Sequence, residues 1–83
     1  MGNIEYPEKP FWTPLEAAVG DRCRYFMFMG QVQQDGTLIC LYKHRITRRY
    51  LNIDLHDQTY VFREDPGRYF LIPREEALEN VFQ

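Results

Sequence analysis

The residues whose types and spacing could do chemistry gather in one short stretch. In Lys43-His44-Arg45-Ile46-Thr47-Arg48-Arg49, five of seven side chains are basic or can become so, and Tyr42 and Tyr50 flank them. Cationic donors of this kind neutralise phosphates, and aromatic faces stack single-stranded bases. Arg24, on the strand expected beside this stretch, adds another guanidinium. The candidate nucleic-acid or anion site is therefore Lys43, His44, Arg45, Arg48, Arg49 and Arg24, with Tyr42 and Tyr50 beside them. The competing reading is a solvated hairpin tip, where Lys and Arg discourage edge-to-edge pairing.

Other reactive side chains form no constellation. Cys23 and Cys40 are too few for a disulfide scaffold or a zinc site, and are read as inert, reduced thiols of a cytoplasmic protein. His44 and His56 fall near opposite ends of the third strand, so no shared metal is expected. Asp54 and Asp57 bring carboxylates near His56, but turn chemistry accounts for Asp57. Glu75 and Glu76 open a helix, where acidic groups complement its dipole rather than form a catalytic pair. No catalytic residue, metal site or cofactor is expected, and the chain is read as non-enzymatic.

The elements that position these residues come from a chain of 83 residues, of which 45% are hydrophobic and 16% aromatic. Domains this small bury only about 60% of their unfolded surface, so aromatic side chains must supply much of the core. A net charge of −2 argues against a surface wholly devoted to nucleic acid or membrane. No apolar run approaches the roughly 18 residues of a membrane helix, and Met1–Pro10 does not read as a secretory signal.

Residues 1–12 are expected to be an extended arm broken by Pro7 and Pro10, leaving 13–83 as one α+β domain. Thr13-Pro14-Leu15-Glu16 has the form of a capping box, and Gly20 suits a helix stop, predicting a short helix over about 14–19. Strands are predicted over 22–33, 37–43, 49–55, 59–63 and 68–72, with Asp35-Gly36 as a tight hairpin turn. Gly30, in mid-strand, marks a bulge or bend. Pro73 then opens a helix over about 74–82, with Ala77, Leu78, Val81 and Phe82 on its apolar side. The fold expected is a five-stranded antiparallel meander, strongly curled or barrel-like, with one helix at each end.

Assumed turn lengths give a register. It sets Met29 opposite Tyr42, Met27 opposite His44, Tyr42 opposite Leu51, Cys40 opposite Ile53, and Leu38 opposite Leu55. It also sets Leu55 beside Tyr60, Ile53 beside Phe62, Phe62 beside Phe70, and Tyr60 beside Ile72. Side chains alternate with period 2, so these pairs share one core face. The opposite face then carries Phe26, Phe28, Ile39, Leu41, Val61, Tyr69 and Leu71, too apolar for ordinary surface. Barrel closure, helices split between the faces, and burial against another chain all remain open. The function expected is a protein-interaction module, self-associating as a homodimer through this face or a sheet edge. The alternative partner is nucleic acid or an anion at the basic tip; no membrane partner is expected.

Overall fold

The computed structural model describes residues 8–83, with side chains from residue 12 onward. The chain runs α1 (Glu8–Val19), a 3-10 helix (Gly20–Tyr25), β1 (Phe26–Gln34), β2 (Thr37–His44), β3 (Tyr50–Asp54), β4 (Thr59–Arg63), β5 (Arg68–Ile72) and α2 (Arg74–Phe82). The strands form one antiparallel sheet in the order β1-β2-β3-β4-β5. The α+β meander and the bounds of α2 are those expected from sequence.

The N-terminal helix is longer than the capping signal implied. It starts at Glu8, so residues 8–12 are helical rather than an arm, while residues 1–7 of the expected arm lie outside the described residues. Pro10 falls in the first turn, where a missing N–H costs nothing. Pro14 lies inside the helix and removes one internal bond. Tertiary packing offsets that loss: the Trp12 ring lies 5.7 Å from Tyr42 and 6.3 Å from Phe28, centroid to centroid. Gly20, with φ +61°, ends the helix as expected. The chain then tightens into the 3-10 helix, which takes residues 22–25 out of the predicted first strand.

Gly30 decides which side of β1 meets the core. Below it, Gln34 pairs with Thr37 and Gln31 with Cys40, as the Asp35-Gly36 turn requires. At Gly30, with φ +121°, the register shifts, leaving Met29 unpaired and half-exposed. Beyond it Phe28 faces Tyr42 and Phe26 faces His44, in place of the expected Met29 and Met27. One extra residue in a strand exchanges its faces. Phe26 and Phe28, expected on the outer apolar face, therefore belong to the core, with Phe26 only 1% exposed.

The β2–β3 register is the expected one, with Tyr42 opposite Leu51 and Cys40 opposite Ile53, but the ladder ends at Ile39 and Asp54, so Leu38 does not pair with Leu55. The next two turns differ. Ile53 pairs with Thr59 and Asn52 with Tyr60, so Leu55 does not meet Tyr60, nor Ile53 Phe62. Asp54 is the cause. Its Oδ1 accepts the N–H groups of His56 (2.8 Å) and Gln58 (2.9 Å), which organises a four-residue loop and shifts the register. The β4–β5 loop also has four residues, 64–67, with Gly67 N–H donating to Arg63 O at 2.8 Å. Phe62 consequently faces Tyr69 rather than Phe70, and Tyr60 faces Leu71 rather than Ile72.

Both helices pack on the face that carries Cys40, Tyr42, Leu51 and Ile53, through Leu15, Val19, Ala77 and Val81. Ile39, Asn52, Asp54 and Tyr60 are also buried, yet lie outside that cluster. Their burial comes from curling. The two edge strands approach until the Gln34 side chain of β1 bonds the Tyr69 backbone of β5. The strands make no backbone ladder across this gap, so the sheet is curled but not closed.

Candidate binding cleft

The β3–β4 ladder is two residues long, and everything that follows depends on that. Beyond Asn52 and Tyr60 the strands part: Tyr50 and Leu51 have no partner on β4, and Val61, Phe62 and Arg63 have none on β3. Asn52 stands at the fork, where its Nδ2 donates to Tyr60 O at 3.3 Å. The parting opens a cleft of about 390 Å³. Its walls are Leu41, Tyr50 and Asn52 on one side, Tyr60, Val61 and Phe62 on the other, with Tyr69, Ile72, Ala77 and Asn80 completing it.

None of these lining residues is charged. The rim is aromatic and half-exposed, with Tyr50 at 45% and Phe62 at 46%, and Leu71 beside it at 59%. Phe62 and Tyr69 rings pack 4.9 Å apart. The depth is polar: Asn52 is 3% exposed, and its Oδ1 has no hydrogen-bond partner. The Tyr60 hydroxyl donates to Asp54 Oδ2 at 2.7 Å. Burial, then that bond and the Asp54 charge, push the Tyr60 phenol up to about 12. Burial and the neighbouring Tyr50 also push Tyr69 up. The cleft thus combines apolar walls with a buried acceptor, Asn52 Oδ1, that has no donor.

Part of the basic tip is spent on structure. Tyr42 is fully buried, packed against Trp12 and Phe28, and offers no stacking face. Burial pushes its phenol and the Cys40 thiol up. His44 is 6% exposed, and its Nδ1 accepts the N–H groups of Ile46 and Thr47, each at 3.1 Å. Arg49 and Thr47 reach across to the end of α2, bonding Asn80 O (3.3 Å) and Val81 O (2.7 Å). Arg24 lies 5.5 Å from the Tyr25 ring and Lys43 5.8 Å from the Tyr50 ring. Arg45 and Arg48 are exposed. Of the expected constellation, Lys43 and Tyr50 approach each other at the surface.

The expected apolar face is likewise redistributed. Phe26 and Phe28 join the core, and Ile39 is sealed inside the curl. Leu41, Val61 and Tyr69 line the cleft, and Leu71 lies beside its rim. Sequence reasoning missed Asn52, Tyr60 and Phe62. The one local signal was Asn52 itself, since asparagine is depleted from strand interiors and rarely sits in one without a task. Among the described residues no group of three or more His, Cys, Asp or Glu side chains is placed to hold a metal. None of their helices is long and apolar enough to cross a membrane. No family model, curated protein or solved structure matches this chain.

Proposed function

We propose that this chain is a non-enzymatic protein-interaction module whose contact site is the aromatic cleft between β3 and β4. The observation that carries this reading is the placement of Tyr50, Phe62 and Leu71, 45–59% exposed, around an uncharged cleft. Large aromatic side chains around a pocket supply the anchoring contacts of protein interfaces. Tyr25, Met29, Ile46 and Leu55 are exposed as well, but none of them lines a cleft. The thiols of Cys23 and Cys40 are free, which suits a reducing compartment such as the cytoplasm.

Selection of random peptides displayed on phage tests the proposal. The wild-type protein should enrich a consensus, and the double variant F62S/L71S should lose it while unfolding at nearly the same temperature. No consensus, or one retained by the variant, would sink the reading. Light scattering on the same two proteins separates a second copy from a foreign partner. A dimer that the two substitutions dissolve would make the cleft a self-association surface.

A further inference from the structure

The geometry points to the indole of a tryptophan, presented by a different protein, as the group this cleft takes; the inference rests on reading the cleft as a protein-interaction site. No lining residue is charged, and the charges behind them, Asp54 on Tyr60 and Arg49 on Asn80 O, already have partners, which favours a neutral guest. Tyr50, Phe62 and Tyr69 favour an aromatic guest, through offset and edge-on ring contacts. The polar requirement is narrower. Asn52 Nδ2 is held by Tyr60 O, so its Oδ1 cannot change places with it without setting two oxygens face to face. That oxygen is buried and lacks a donor. A buried acceptor left unmatched costs roughly 1–3 kcal/mol, and an N–H arriving with the guest removes that cost. The half-exposed rim side chains must turn aside for it to arrive.

Tryptophan is the side chain that joins a large aromatic body to a group that only donates. The size of the cleft agrees. At about 390 Å³ it sits near the small end of ligand pockets, which span roughly 300–1,000 Å³, and suits one side chain. Leu71, exposed beside the cleft and not among its lining residues, gives contacts that a polypeptide carrying the indole would cover and a free small molecule would leave wet. A second copy of this chain is a poor donor. Its single tryptophan, Trp12, is half-buried against Phe28 and Tyr42 and belongs to the core.

The test is a titration of the isotope-labelled protein followed by NMR. The probes are N-acetyl-tryptophanamide, its 1-methylindole derivative, N-acetyl-leucinamide, and the peptide acetyl-Leu-Trp-Leu-amide. N-acetyl-tryptophanamide should saturably shift the amides of Leu41, Tyr60, Val61 and Ala77. The methylated derivative, which has no N–H, should bind about tenfold more weakly, and N52L should bind both equally at the weaker level. The peptide should bind at least about threefold tighter than the single residue, through rim contacts. Equal binding by the methylated or leucine probe would overturn the tryptophan inference and leave the cleft a protein-binding site. No gain from the peptide would make it a small-molecule site and overturn the protein partner. No shift from any probe would overturn both. Should N52L not fold, the comparison of methylated and unmethylated probes on the wild type decides alone.

Discussion

Gln34 and Tyr69 lie 35 residues apart and exchange two hydrogen bonds. Gln34 Nε2 donates to Tyr69 O at 2.9 Å, and Tyr69 N–H donates to Gln34 Oε1 at 2.9 Å. The side-chain amide thus does for β5 what a backbone peptide group does in a ladder, and Arg68 pairs with Asp35 next to it. The bridge joins the two edges of the curled sheet. Gln34→Leu keeps the volume and removes both bonds, and should destabilise the protein by about 1–3 kcal/mol in urea unfolding. Hydrogen exchange should show the amide of Tyr69 opening first. An unchanged exchange rate there would mean that the bridge contributes nothing in solution.

Gly30 is a backbone requirement and not a packing one. A Cβ built on it meets no atom within 4 Å, but its φ of +121° is one that side-chain-bearing residues rarely adopt. Gly30→Ala should therefore cost roughly 1–3 kcal/mol from strain alone. The unfolding midpoint measures it. A loss near zero would show that the bulge relaxes freely, and that Phe26 and Phe28 hold their places without it.

Tyr60 and Asp54 make alkaline stability depend on one hydroxyl. The Tyr60 pKa is about 12 in the folded protein against an ordinary value of 10.0. The stabilisation is therefore complete below pH 10 and is lost as pH rises toward 12, because the unfolded chain gives up its proton first. Tyr60→Phe removes the bond to Asp54 Oδ2 and should cost about 2 kcal/mol at neutral pH. The gap between wild type and variant should close between pH 10 and 12. Tyr42, Cys40 and Tyr69, which burial also pushes up, are common to both proteins, so the difference isolates Tyr60. A gap constant with pH would contradict the assignment.

His44 is expected to behave as an acceptor at the end of a strand. Its Nδ1 holds two backbone N–H groups, and its ring stands edge-on to Phe26 and Phe82 at 5.0 and 5.3 Å. His44→Phe preserves the ring packing and abandons both donors, so it should cost about 2 kcal/mol or more. His44→Asn keeps an acceptor near the turn and should recover part of that. Faster hydrogen exchange at Ile46 and Thr47 in the phenylalanine variant is the specific readout. Protection equal to wild type would count against the role.

Sequence alone determined what neighbouring residues can settle. The Asp35-Gly36 turn, the stop at Gly20, the bulge at Gly30, the Tyr42–Leu51 pairing and the whole of α2 follow from turn chemistry, backbone freedom and a 3.6-residue period. Tertiary structure decided what those rules leave degenerate. Both sheet faces are apolar, so a period of two is satisfied by more than one register, and alternation could not reveal the longer loops after β3 and β4. The length of the first depends on Asp54, whose buried carboxylate gathers His56, Gln58 and Tyr60. The same displacement moves Tyr60 beside Asn52 and parts the strands beyond them. The basic tip showed the converse: Tyr42, His44 and Arg49 read as free surface until the core, the turn and the end of α2 claimed them. Composition and spacing report which groups are available, and long-range packing decides which of them remain free to bind.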